Sequence, residues 1–406
     1  MSASNWDDSA LHRFLFRFVF AFLLLFNFPF PLNVIPGVNF DGWTRSGWDV
    51  LVQPAGRALF GVSPSAVFTG SGDTRWSWTQ LALMLAISLA AAMVWTVWDR
   101  RTNYPRLARF LHTYVRFALA YVMLVYGTMK VIPLQFPPPS LDRLIQPFGH
   151  ASPMGLLWTF MGASAPYVIF TGIGEMLGGL LLTMRRTALL GAVVSAAVMT
   201  QVAVLNFCYD VPVKIYSTLL LFEALVLIAY GARRLLFALV PQVPRVAWWK
   251  IALRTAAVVA ICFMFLKDGR DYGKQLAQRS PLRGIWRVDV LQVNGVDRPP
   301  LITDTGRWRR MVFDYPQGIS VQLMNDQRHR YAIALKEPQK TFSLTRRDHP
   351  NFRASFTYRR PDPQTLVLDG TMEGDRVHVV ARREPDTEFL LNTRGFHWIN
   401  ETPFNR

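Results

Sequence analysis

Cysteine is nearly absent. Cys208 and Cys262 are the only two in 406 residues, and no CxxC pair, zinc-ligand spacing or disulfide framework can be built from them. Zinc and disulfide scaffolds are therefore excluded, and Cys208, with no second cysteine near it, reads as a structural thiol rather than a redox one. Histidine is scarce at seven residues. Haem would call for two histidines at facing depths, and only His112 falls within an apolar run, near its edge, so haem is not expected. His329, His349, His378 and His397 follow no ligand spacing and read as surface residues. Charge is sparse at 17%, and what there is leans one way, 44 basic against 27 acidic residues for a net +17. No recognition motif or basic run accompanies that excess, so nucleic acid is not expected as a partner. The excess reads instead as Lys and Arg flanking membrane segments, plus a basic soluble face against anionic lipid. There is no internal repeat, and the sole low-complexity tract is Pro137–Pro139, a stiff extended spacer.

What is present is long apolar runs. A span needs about 20 predominantly apolar residues, and seven stretches qualify: roughly 13–33, 77–98, 108–132, 164–183, 188–206, 214–232 and 248–266. The first could be taken for a secretion signal. Its core is too long, and it ends in Phe28-Pro29-Phe30-Pro31 rather than a small-residue cleavage site, so it reads as a retained helix. The connection from Val34 to Trp76 holds an amphipathic stretch near Trp48–Phe60 suited to the interface. Met154–Phe160, cut off by Pro166, reads as another interfacial helix. With the N-terminus inside, the inner loops carry twelve basic residues: Arg13, Arg17, Arg100, Arg101, Arg106, Arg109, Arg185, Arg186, Arg233, Arg234, Arg245 and Lys250. The longer outer loops carry six: Arg45, Arg57, Arg75, Lys130, Arg143 and Lys214. That asymmetry predicts a multi-pass protein of a bacterial cytoplasmic (inner) membrane, N-terminus inside, with its C-terminal domain periplasmic.

From Gly284 the hydrophobic period changes to two. Trp286/Val288/Val290, Ile319/Val321/Leu323, Tyr331/Ile333/Leu335, Phe342/Leu344, Ala354/Phe356/Tyr358, Leu366/Leu368 and Val377/Val379/Ala381 alternate with polar neighbours, and turn residues punctuate them. Eight or nine short strands at this spacing predict a closed antiparallel barrel or a sandwich. The fold class is thus a polytopic helical bundle plus a C-terminal antiparallel β domain. Its expected divisions are 1–107 (two spans and a long outer loop), 108–236 (four spans), 237–279 (the seventh span and a linker) and 280–406 (the β domain).

Charge inside a span is rare and usually pairs or works. Counted from the inner ends of their spans, Arg116, Glu175 and Glu223 all fall roughly 12–14 Å deep. One reading is a site that handles protons or a cation, since two carboxylates sharing a low-dielectric site resist joint ionisation. The other is an ion pair and a protonated carboxyl that tie helices together. Gly174 and Gly178 flank Glu175 in a GxxxG spacing that lets a neighbouring helix approach. A second polar layer is expected at the outer mouth, formed by Lys130, His150, Asn206, Tyr209, Asp210 and Lys214. It could hold an anionic head group or a quinone ring; alternatively, Lys130 simply snorkels to pair with Asp210.

Residues from about Val115 to Leu236 carry a resemblance. Tyr126-Gly127-x-x-Lys130, Ser152-Pro153-Met154, Gly172-x-Gly174-Glu175-x-x-Gly178-Gly179, Arg185-Arg186-Thr187 and Asn206-Phe207-Cys208-Tyr209-Asp210-Val211-Pro212-Val213-Lys214 resemble the DoxX family of small membrane proteins. The resemblance implies a four-helix membrane bundle and, as in some members, redox or sulfur chemistry near the quinone pool. Gly284-Ile285-Trp286 looks like the G-x-W of lipocalin-like barrels, which implies that Arg394 packs on Trp286 at the barrel base.

Three functions follow as expectations. The first is a binding, assembly or anchoring protein whose β domain takes a lipid or a periplasmic protein partner. The second is a quinone-linked membrane oxidoreductase or its accessory subunit, with quinone the one cofactor implied. The third is a proton-coupled transporter, for which inverted repeats or broken helices would be expected and neither is evident. Membrane lipids are partners in all three.

Overall fold

The computed structural model describes residues 10–237 and 280–402, except 36, 65, 66, 68, 102, 133, 316, 347, 386–388, 396, 399 and 400, with isolated positions between 248 and 267. The seventh expected span, 248–266, lies for the most part outside the described residues. The chain divides into two compact units, one formed by residues 1–132 and 167–266, the other by residues 133–166 and 267–406.

The first unit contains α1 (Ala10–Asn27), α2 (Phe40–Phe60), α3 (Arg75–Trp98), α4 (Pro105–Val131), α7 (Ala165–Thr183), which the segment 133–166 separates from α4, α8 (Ala188–Cys208) and α9 (Lys214–Phe237). Six of these, all but α2, are long and apolar enough to cross a membrane. Their bounds lie within a few residues of the expected spans, because local signals fix the ends. The Thr74 hydroxyl accepts a hydrogen bond from Ser77 N at the start of α3, and Pro105 opens α4 where its missing N–H costs nothing. The start of α9 is fixed from a distance: the Asp73 carboxylate accepts from Lys214 N (2.8 Å) and Ile215 N (3.0 Å). The core runs through Phe22, Leu23, Val115, Leu119, Met123, Leu182, Ala192 and Ala224. Phe170, Ile173, Leu190, Val193 and Val97 face outward exposed, as they would toward lipid. The interfacial stretch expected at Trp48–Phe60 is the second half of a longer helix. Asn39 caps α2 from Gly42 N, and Gly61, in the left-handed region at φ 71°, ends it.

The second unit is a closed antiparallel barrel of strands β1 (Gly284–Val293), β2 (Val296–Asp297), β3 (Trp308–Tyr315), β4 (Gly318–Leu323), β5 (Arg328–Lys336), β6 (Thr341–Thr345), β7 (Ala354–Arg359), β8 (Thr365–Met372) and β9 (Asp375–Glu384). Strand β2 extends only a hairpin; the other eight form a meander that β1 closes by pairing with β9. Closure leaves no unpaired edge. Side chains fill the interior: Trp286, Trp308, Phe313, Phe342, Phe356 and Leu368 are all buried there, with Phe342 and Phe356 centroids 5.5 Å apart. A bulge in β1 between Val288 and Val290 frees backbone carbonyls. The buried Arg307 guanidinium answers them, donating to Asp289 O (3.1 Å) as well as to Trp308 O (2.6 Å) and Arg298 O (2.7 Å).

The segment 133–166, which the sequence groups with the four middle spans, packs on the outside of this barrel. It contains α5 (Leu141–Leu144) and α6 (Pro153–Gly162). Leu141 covers Ile285 and Val312, which point outward from their strands yet are buried. Asp314 accepts from Leu141 N at 2.7 Å, and the Asp142 carboxylate meets Arg330 (2.8 Å) and Arg328 (3.1 Å). Arg360, with its Cζ 5.5 Å from the Trp286 ring centre, is the guanidinium found over the barrel-base indole. Arg394 is the C-cap residue of the short helix α10 (Leu390–Thr393).

Candidate functional site

The site begins with a close helix crossing. Gly127 on α4 lies so near α7 that a Cβ there would come 2.7 Å from Gly172 O, and a Cβ on Gly179 would come 3.0 Å from Ala120 O. Both contacts fall in one antiparallel register, so the sequence affords small residues where the backbones touch. In that register Arg116 is level with Thr183 and Glu175 with Leu124, roughly 12 Å apart along the axis. The equal depth read from span ends does not hold between these helices, because α4 extends well beyond the C-terminal end of α7.

Glu175 meets Lys130 instead. Side chains on a helix lean toward its N-terminus, so on antiparallel helices Lys130 leans inward, Glu175 leans outward, and the two converge. They form an ion pair with both side chains buried. Lys130 satisfies one carboxylate oxygen; Glu175 Oε2 has no hydrogen-bond partner among the described residues. The ring of Tyr126, one turn before Lys130, lies 6.3 Å from that of Tyr216 on α9. Glu223 on α9 is fully buried, one of the most buried charged residues among the described ones. Glu223 accepts a hydrogen bond from Asn27 Nδ2 on α1 and likewise keeps one oxygen, Oε2, without a partner. The Tyr114 hydroxyl on α4 donates to Phe30 O at 3.0 Å. A buried carboxylate with an open oxygen has unused acceptor capacity; it can take a proton there or a hydrogen bond from a ligand.

The other expected residues distribute as follows. Arg116 is buried with its guanidinium 4.7 Å from the Phe117 ring centre. Asn206 is buried and donates to Ser217 Oγ at 3.0 Å, tying α8 to α9. Asp210, in the left-handed region at φ 51°, pairs with Lys214 at 2.8 Å on the surface. Tyr209 is the C-cap residue of α8. His150 is exposed and ends a short 3-10 turn in the barrel unit. The mouth is thus two arrangements: the Lys130–Glu175 pair, and an Asp210–Lys214 pair beside the Asp73 cap, with Lys214 Nζ 3.8 Å from Asp73. Sequence reasoning missed Asn27, Asp73 and the tyrosines. Asn27, polar amid the apolar run Phe18–Phe30, carried a signal; Asp73 carried none, because its partners lie 141 residues away.

No family model matches the chain, and no solved structure matches it. A stretch of 121 residues is 35% identical to the uncharacterized protein YwoB of Bacillus subtilis (strain 168), covering 29% of this chain and 75% of that protein.

Proposed function

We propose that the chain, which belongs to the family of YwoB, is a membrane-embedded binding protein whose helical unit takes a polar-headed, apolar-tailed ligand at the Lys130–Glu175 and Glu223–Asn27 pairs. The observation that carries this reading is the pair of buried carboxylates, each with an open oxygen, one of them paired with a buried ammonium and the other with a buried amide. Such groups cost free energy when left unanswered in an apolar interior, so a ligand or proton that answers them stabilises the site. Tyr126, Lys130, Gly172 and Glu175 are also among the residues through which the sequence resembles the DoxX family, which supports a DoxX-like reading of this bundle. We place the protein in a bacterial cytoplasmic membrane, N-terminus inside and barrel on the periplasmic side, from the distribution of basic residues. The filled barrel interior supports a docking or anchoring role for the β domain, with a periplasmic protein as partner, over a lipid held in its lumen.

The test is mass spectrometry of small molecules that co-purify with the detergent-solubilised full-length chain. Wild type should carry a defined amphiphile, and Lys130→Ala and Glu223→Gln should each lower its recovery about tenfold or more, the worth of one charge-assisted hydrogen bond. A wild-type preparation with nothing bound, or equal recovery in both variants, overturns the reading. A second reading, quinone-linked redox chemistry, is favoured by one arrangement: the buried Lys130 ammonium paired with the Glu175 carboxylate sets a proton donor beside a proton acceptor, as the protons that accompany quinone reduction require. It requires that the co-purifying molecule be a quinone and that the electrons come from a partner protein.

A further inference from the structure

A cavity of about 360 Å³ lies between the first two turns of α2, the Phe28-Pro29 segment after α1 and the first turn of α3. Asp41, Arg45, Trp48, Trp76, Phe28 and Gln80 line it. Asp41 and Arg45 stand four residues apart on one helix, the spacing at which opposite charges ordinarily pair. Here they do not pair with each other. The Arg45 guanidinium lies 4.8 Å from the Trp76 ring centre, and its Nε is buried with no hydrogen-bond partner. Trp76 is held in place for that contact, its indole N–H donating to Asp49 Oδ1 at 2.5 Å. The cavity therefore presents a carboxylate and a guanidinium one helical turn apart, with two indoles and a phenyl ring beside them.

That set is complementary to a zwitterion that carries an ammonium and a phosphate. A guanidinium binds phosphate oxygens through charge-assisted hydrogen bonds. A carboxylate flanked by aromatic faces suits an ammonium. In an ethanolamine phosphodiester the two charges are separated by two methylenes, matching the scale of one helical turn. The surroundings favour a lipid as the source of that head group. Trp43, Val50, Leu51, Leu59 and Phe60 on α2 are exposed and apolar, and indoles at this level suit a membrane interface. We infer that this cavity is a binding site for the head group of a zwitterionic phospholipid, its ammonium on Asp41 and its phosphodiester on Arg45. The inference does not rest on the function proposed for the Lys130–Glu175 site.

Native mass spectrometry of the full-length protein, released from micelles containing equal amounts of phosphatidylethanolamine and phosphatidylglycerol with identical acyl chains, tests it. Wild type should retain the ethanolamine lipid several-fold over the glycerol lipid. Asp41→Asn should abolish that preference while still binding phosphate-bearing lipid, and Arg45→Gln should lower retention of both about tenfold. Asp41 is exposed, so its variant leaves the packing intact. If Arg45→Gln lowers the melting temperature, Arg45→Lys serves in its place, and it must still favour the ethanolamine lipid. Equal retention of the two lipids by wild type, a preference that survives Asp41→Asn, or retention unchanged in Arg45→Gln overturns the inference. Soluble glycerophosphoethanolamine should not displace the lipid at equal concentration; displacement would overturn the assignment to a lipid. Glu223→Gln should leave this lipid preference unchanged, which separates failure here from failure of the interior site.

Discussion

Asp142 shows how one side chain can fix a large connection. Its carboxylate is buried on the outer face of the barrel, where it accepts from Arg330 and pairs with Arg328. Burial alone would raise its pKa. The adjacent Ser320 hydroxyl and the Arg328 and Arg330 guanidiniums more than offset this, and its carboxyl sits below the ordinary value of 3.8. A depressed folded value means the carboxylate's contribution is fully present above about pH 4–5 and is lost as pH falls through the folded pKa. Asp142→Asn, which keeps an acceptor but removes the charge, should weaken docking of 133–166 by about 2–3 kcal/mol, toward the lower end for a broken buried pair because Arg330 is largely exposed. Hydrogen exchange at Leu141–Ile145 in the full-length protein should then run more than tenfold faster at pH 7, and acid should produce the same effect in wild type but little more in the variant. Unchanged exchange in Asp142→Asn would show that Leu141 and its apolar contacts hold the connection alone.

At the scale of elements, what was legible was whatever depends on one segment. Long apolar runs located six helices within a few residues, and alternation located seven strands. Relations between segments were not legible. The GxxxG pair Gly174/Gly178 reads as the face for a close neighbour, and α8 takes that place, a Cβ on Gly178 coming 2.7 Å from Ser195 Oγ and one on Gly174 3.8 Å from Val198, but the sequence does not say which helix it is. The contact with α4 is made by Gly172 and Gly179, two helical turns apart, with Gly127 opposite. Strand β3 escaped for a related reason. Arg309 and Arg310 break its apolar pattern, and Met311-Val312-Phe313 fails to alternate because Leu141, far away in sequence, buries the outward-facing Val312. The crossing also makes a prediction. Gly172→Val would place carbon 2.7 Å from Gly127 O and 2.8 Å from Lys130 Cβ, so α4 and α7 must separate at a cost of about 1–3 kcal/mol. Its detergent melting temperature should fall, whereas Gly174→Val should melt near wild type. In the Gly172→Val background, a double-mutant cycle between Lys130 and Glu175 should lose most of its coupling. Coupling retained in full would mean that the pair forms without the crossing.

At the scale of the whole chain, the clasp at Asp142 bears on topology. The segment 133–166 leaves the C-terminal end of α4, and it forms one compact unit with the barrel. From that segment the chain crosses with α7, α8 and α9, three passes, before it reaches the linker to the barrel. Three is odd, so a barrel held beside 133–166 requires one further pass, and the apolar stretch 248–266 is the sequence available for it. The expected topology therefore puts Cys208, exposed at the C-terminal end of α8, on the same side as the barrel. Arg100, in the α3–α4 turn, falls on the other side. An impermeant maleimide added to intact cells should label Cys208 in a Cys262→Ser background. In a background without either native cysteine, it should also label Glu337→Cys in the exposed β5–β6 turn, while Arg100→Cys should react only after permeabilisation. If Glu337→Cys reacts together with Arg100→Cys, the seventh pass does not exist, and the Asp142 clasp cannot form in the assembled protein. Labelling of Glu337→Cys with Cys208 instead leaves the barrel and the 133–166 connection on one side of the membrane, as the Asp142 clasp requires.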